Sequence, residues 1–324
     1  EGTNTFGQVS WYALGDFGLH ATDMFMIILL LGIQVAYQDA IVSFLEATPV
    51  TTGSFVLDDL GVCLIISIIT NVPDFGYLST VSAMGLAVLG STYVVIAAYG
   101  GPVTLEGWHL WPYNGVMGVS HWYGCVAFAF GSVPLTYHYY ESMAQPQYVM
   151  SASSVGMGVV TMGYIAIGNG LLLLYPDVSS GDIMHSLPAH GIAPTVVRLA
   201  FVLVIMLTSP LLLLPVAQLI ETKLVYAFGG RIRVTKGLQA VVRLSICLLC
   251  MIISVAVPVF VVVLGFVGCF SMSVVCFVIP PLLHILLAHR KGVPITNSGM
   301  VLDGILLIWG IASTVISTAY ILRN

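Results

Sequence analysis

The sequence predicts an all-α chain that crosses a lipid bilayer nine times, and three observations lead there. The first is composition: of 324 residues, 58% are hydrophobic and only 7% are charged, and mean hydropathy is +1.02. A soluble domain carries about 25% charged residues. A chain this poor in charge cannot cover a globular surface with solvated groups, so its surface faces lipid. That excludes disorder, nucleic-acid binding and a cytosolic fold. The second is a succession of apolar stretches, most of them near the roughly 20 residues that a helix needs to span a bilayer. The third is the placement of the basic residues, which gather in loops on one side.

In order, the stretches run over residues 22–45, 55–70, 77–99, 116–139, 155–174, 194–219, 238–257, 258–287 and 301–322. The polar segment 1–20 precedes the first and reads as cytoplasmic. The second is short and carries Asp58 and Asp59 at its start. Gly100, Gly101 and Pro102 form a turn signal that stops the third. The seventh and eighth are almost continuous, and Pro258 is the natural break between them. Together they read as one transmembrane domain over 1–324.

With the amino terminus in the cytoplasm, the loops after spans six and eight are also cytoplasmic. They hold or flank Lys223, Arg231, Arg233, Lys236, Arg243, Arg290 and Lys291, which leaves only Arg198 and Arg323 of the nine basic residues elsewhere. The reverse orientation inverts that ratio, against the positive-inside rule. Loops 48–54, 101–115 and 176–193 then lie outside, and Trp108, Trp111 and Tyr113 suit an interfacial belt.

The six cysteines all lie in apolar runs. Cys247 and Cys250 form a C-x-x-C on one helical face without other ligands in sequence, and read as small packing residues. Among the histidines, His138 lies near the cytoplasmic end of span four, where it can titrate. No metal-ligand spacing and no catalytic constellation is present, so the chain does not read as an enzyme.

Three spans carry polar features at membrane depth. Span four contains Gly131, Ser132 and Pro134, which weaken the helical ladder. Backbone groups freed there are tolerable only where they face protein, water or ligand, as in the broken helices with which transporters bind small zwitterions and ions. A simple kinked packing helix is the other open reading. Span six carries Thr208, Ser209, Pro210 and Pro215; its hydroxyls either coordinate a cation or bond to the preceding turn. Span one carries Gln34, Tyr37, Gln38 and Asp39. An acid inside a spanning helix points to proton or substrate handling, although Asp39 is only seven residues before Glu46, so a place near the outer interface is also open.

The segment AFAFGSVPLTYHYYESMAQPQYV resembles the sixth helix of the amino acid/auxin permease family, in the amino acid–polyamine–organocation superfamily. The resemblance rests on Phe128 to Pro134, then Glu141, Met143 and Pro146. Three other segments agree in order. SLPAHGIAPTVVRLAFVLVIMLTSPLLLLPVAQLIE is similar to the family's fourth outer loop and eighth helix. VLGFVGCFSMSVVCFVIPPLLHI is similar to its tenth helix, and EGTNTFGQVSWYALGDFG to the segment between its second and third helices.

The resemblance implies nine helices that match the third to eleventh of a LeuT-like inverted-repeat transporter, the first two being absent. In that fold, substrate lies between the broken first and sixth helices. The chain is therefore expected to be an amino-terminally truncated fragment, in keeping with its first residue, Glu1. The implied function is secondary active transport of amino acids by alternating access, coupled to protons or sodium, with no cofactor. A membrane amino-acid sensor, or a non-functional truncated fragment, is the alternative. The implied substrate-binding residues are Phe128, Ala129, Phe130, Gly131 and Ser132, with Tyr37 closing the site. Thr208, Ser209 and Asp39 are implied in ion coupling. The expected partners are an amino acid and the bilayer, with no nucleic acid, in a plasma or vacuolar/lysosomal membrane.

Overall fold

A computed structural model describes residues 6–71, 78–103, 115–136, 140, 143–176, 183–188, 191–227 and 235–322. His138, Glu141, the belt residues Trp108, Trp111 and Tyr113, and the basic residues Arg231, Arg233 and Arg323 lie outside the described residues.

Each expected span finds a helix. In chain order they are α1 (Phe6–Leu14), α2 (Asp16–Glu46), α3 (Phe55–Thr70), α4 (Leu78–Tyr99), α5 (Gly115–Ala129), α6 (Val149–Leu174), α7 (Ile192–Ala227), α8 (Lys236–Ala256), α9 (Phe260–Val267), α10 (Ile279–Lys291) and α11 (Asn297–Leu322). Helix α1 is additional and forms within the polar leading segment. Six described stretches are long and apolar enough to cross a membrane: 16–46, 146–174, 192–225, 236–256, 261–291 and 297–321.

Local chemistry accounts for the boundaries. Helix α8 starts at the Thr235 cap, whose hydroxyl accepts from Leu238 N at 3.3 Å, and stops at Val257 ahead of Pro258. Gly292 ends α10 at φ +63°, with Val293 N donating to Ala288 O at 3.0 Å. This is a left-handed terminus that glycine enters without steric penalty. Helix α7 carries Pro210 and Pro215 in its interior yet stays continuous. Just before Pro210, Thr208 Oγ1 donates to Val204 O at 2.9 Å and Ile205 O at 3.1 Å, covering carbonyls in that turn.

Between α9 and α10 the chain widens into two π-helical turns, Gly268–Met272 and Val274–Val278. Pro280 and Pro281 follow at once, and neither has an N–H for the carbonyls of Cys276 and Phe277 four residues back. With that ladder interrupted, the preceding turns shift to five-residue bonds. Ser273 Oγ adds one more, donating to Gly268 O at 3.2 Å.

The chain divides into two compact units. Unit 1 comprises residues 1–29, 111–163 and 264–324; unit 2 comprises 30–110 and 164–263. In unit 1, α5 packs on the first π-turn and on α11. A Cβ at Gly124 would collide with the backbone of Gly265, and one at Gly268 with the Gly124 backbone. Only glycines permit that approach, as at small-residue crossings in membranes generally. Tyr123, Ala127, Cys269 and Ile321 form the core there, flanked by Phe266 and Phe277. In unit 2, α3, α7 and α8 pack on one another and α4 packs on α7.

Candidate functional site

The first group of candidate residues lies at the end of α5, in unit 1. Phe128 and Ala129 remain helical; the helix stops there, and Phe130, Gly131 and Ser132 lie outside it before a short 3-10 turn at Val133–Leu135. The break is thus two residues narrower at its start than the expected 128–132. The backbone bonds tighten in steps through it. Phe130 N donates to Val126 O at 3.0 Å, Gly131 N to Phe128 O at 3.1 Å, and Ser132 N to Phe130 O at 2.8 Å. The Gly131 amide therefore forgoes the Ala127 carbonyl that an α-helix would assign to it, and Pro134 has no amide to give to Phe130 O.

This broken segment faces the π-turns. A Cβ on Gly131 would overlap the thioether of Met272, which is itself buried. The Cys276 thiol faces the backbone of Val133, and Ser132 Oγ lies 3.9 Å from Met157 Sδ, on α6. Behind the segment runs a chain of hydroxyls: Tyr123 OH and Ser273 Oγ are 2.9 Å apart, and Ser313 Oγ donates to Tyr123 OH at 2.9 Å. Two departures from α-helical bonding thus meet in one place. Met272, Ser273 and Cys276 were missed from sequence, although Pro280-Pro281 marks the irregular turns that carry them.

The second group lies in unit 2. The Tyr37 hydroxyl faces that of Thr208. One residue on, Ser209 Oγ donates to Gln34 Oε1 at 2.7 Å, in a fully buried contact. Thr208 thus bonds to its own preceding turn, as one of the two readings expects, while Ser209 reaches across to α2, which neither reading included. A hydroxyl that donates once keeps its acceptor lone pairs, so both oxygens remain chemically able to ligate a cation. Gln34 Nε2 finds no partner among the described residues. Asp39 joins neither pair; it faces α3.

The helices, the break and the buried hydroxyls define an integral, multi-pass membrane protein. Over residues 1–323 the chain matches the family described as transmembrane amino acid transporter protein, and it belongs to that family. It is 26% identical over 156 residues to solute carrier family 38 member 10 of Mus musculus, covering 45% of this chain and 14% of that protein. It is 25% identical over 228 residues to amino acid transporter AVT3C of Arabidopsis thaliana, covering 70% and 46% respectively. With AVT1E of the same plant the identity is 22% over 326 residues, covering 96% and 60%. The chain thus spans less than two thirds of the length of each of these relatives. All are named as solute carriers or transporters, and none as an enzyme.

Proposed function

We propose that the protein takes part in secondary active transport of amino acids by alternating access, in a plasma or vacuolar/lysosomal membrane, driven by protons or sodium. The observation that carries this reading is the interruption at Phe130–Ser132 inside an apolar span. Because Gly131 N turns to Phe128 O, the Ala127 carbonyl lacks its α-helical donor, and a backbone carbonyl without a partner in hydrocarbon costs several kcal/mol. The ammonium of a zwitterionic amino acid supplies a donor for such a carbonyl. Phe128, Ala129, Phe130, Gly131 and Ser132 are the proposed contacts, and Tyr37 is proposed to close the site. Thr208, Ser209 and Asp39 are proposed to handle the coupling ion.

Uptake of labelled amino acids into proteoliposomes under an imposed proton or sodium gradient tests this directly. Gly131→Ile should cut uptake to below about a tenth of wild type, a loss of ~1.4 kcal/mol or more in terms of equilibrium or barrier, while the protein still inserts. Undiminished uptake by that variant would sink the proposed site. Orientation has its own check. Cysteines placed singly at Thr52 and Lys236 should react with an impermeant maleimide from opposite sides, Thr52 from outside or lumen; labelling of both from one side would refute it.

A further inference from the structure

Asp58 and Asp59 are neighbours in sequence with opposite surroundings. Asp58 accepts from Thr51 Oγ1 at 2.6 Å and from Thr52 N at 2.9 Å, so its carboxylate ties the loop to the start of α3. Asp59 points the other way. It is completely buried, and neither carboxylate oxygen has a hydrogen-bond partner among the described residues. From α8 the hydroxyl of Ser254, equally buried, faces Asp59 without closing a bond, and it too has no partner among the described residues. From α2, Asp39 lies within Coulombic range, buried, with Oδ2 unpartnered.

Two contacts tie α2 to α8 nearby, and α3 packs on α8. Gln38 Nε2 donates to Cys247 O at 3.4 Å, and Cys250 Sγ lies 3.8 Å from Leu31 O. The other titratable groups that face the pair are Glu46 on α2, Cys63 on α3 and Cys250 on α8. None of these is a cation. Helix α7 also packs on α3; its Arg198 donates to the carbonyls of Met184, Leu187 and Pro188 at 3.0–3.1 Å.

Two ionised carboxylates buried within Coulombic range of each other, with three of their four oxygens unpartnered among the described residues, carry a penalty of several kcal/mol per ion. Something positive must accompany them. A proton is the smallest such species, and it turns one carboxylate into a donor for the other or for the idle Ser254 hydroxyl. We propose that Asp39 and Asp59 form a proton-binding site in unit 2, with Ser254 as the group that positions the protonated Asp59 carboxyl. Binding takes one proton from water and reduces the charge of the pair from −2 to −1; release reverses this. The use of that proton to drive uptake rests on the transport reading above, whereas its binding does not.

Infrared difference spectroscopy on the purified protein in lipid nanodiscs, titrated with pH, reads the site without any transport assay. The wild-type protein should show the carbonyl stretch of a protonated buried carboxyl that disappears as pH rises. Asp39→Asn and Asp59→Asn should each reduce that band to baseline, and Asp59→Glu should restore it at a shifted frequency. A band that survives both asparagine changes, or its absence from wild type, overturns the proposal. So does a band that vanishes when sodium replaces choline at constant pH, which would assign the pair to sodium. Should the asparagine variants fail to elute as folded protein, Ser254→Ala keeps both carboxyls and must still move the band; an unmoved band defeats the assignment. Wild-type protein that shows the band but no amino acid uptake would sink the transport reading and leave the proton site standing.

Discussion

Unit 1 and unit 2 place polar groups at membrane depth by different means. In unit 1 the helices themselves depart from regularity: α5 ends at Ala129, two π-turns occupy Gly268–Val278, and the two irregular stretches face each other across Gly131 and Met272. Part of the polarity there belongs to the backbone, where glycine and proline control it, beside the hydroxyls of Tyr123, Ser273 and Ser313. In unit 2, α3, α7 and α8 run without interruption. There the buried polarity sits on side chains, namely Gln34, Gln38, Asp39, Asp59, Ser209 and Ser254. A backbone site is therefore vulnerable to an added methyl group, and a side-chain site to the loss of one polar atom.

Glycine substitutions separate the two regimes most sharply. Gly124→Leu in unit 1 must force its side chain into the backbone of Gly265, which has no rotamer to escape by. Overpacking of this kind costs about 1–3 kcal/mol and more where backbone is hit, so the variant should show a large drop in thermal midpoint in detergent or fail to fold. Gly61→Ala in unit 2, where a Cβ meets nothing within 4 Å, should be neutral or stabilise by up to ~1 kcal/mol through helix propensity. Equal midpoints for the two variants would erase the distinction.

The next test sharpens the role of the facing turn. If Gly131→Ile acts by displacing Met272, then Met272→Ala in the same protein should return a measurable part of the lost uptake by vacating the thioether's place. No recovery would mean that the isoleucine acts through the backbone alone.

In unit 2, Ser209→Ala should exceed Thr208→Ala in its effect on stability. The first strands Gln34 Oε1 in a buried site, at about 1–3 kcal/mol, while the second removes bonds to its own helix and the hydroxyl facing Tyr37, whose ring stays in place. Both should weaken the apparent sodium affinity of uptake, by roughly 3–10-fold for one lost hydroxyl ligand (~0.7–1.4 kcal/mol). Uptake that is indifferent to sodium in wild type would remove the ion role from both residues.

The smallest effect should come from Tyr123→Phe. It deletes the node that joins Ser273 to Ser313 while keeping the ring against Trp309, 6.0 Å away between centroids. A loss of about 1–2 kcal/mol in stability, with uptake kept, is the expected outcome. Abolished uptake with an unchanged midpoint would instead place the hydroxyl chain in the transport pathway.

Much of unit 1 was legible because its irregularities are local. Gly131 and Pro134 announce a break by what they lack; the irregular turns before Pro280-Pro281 were not expected from the sequence. The ends of α3, at Phe55 and Thr70, and the gap at Pro258 coincide with the residues at which the apolar runs change. The narrower start of the break was not legible, since Phe128 and Ala129 keep their amides bonded to earlier carbonyls even as the next residues leave the helix.

What the sequence by itself determined is the set of helices, the family they belong to and the position at which one of them fails. These follow from bonds between residues three to five apart, and a missing amide or side chain is visible in the string. Only the tertiary structure decided that Gly131 abuts Met272, that Tyr37 faces Thr208, and that buried Asp59 has Ser254 facing it and Asp39 within Coulombic range. Those residues are from 20 to 215 positions apart in the numbering, and helical periodicity fixes a residue's face without fixing which helix covers it. Burial then gives the same residue type two chemistries: Asp58 is tied down by a loop, and Asp59, one residue on and turned about 100° around the helix, is buried with no hydrogen-bond partner among the described residues.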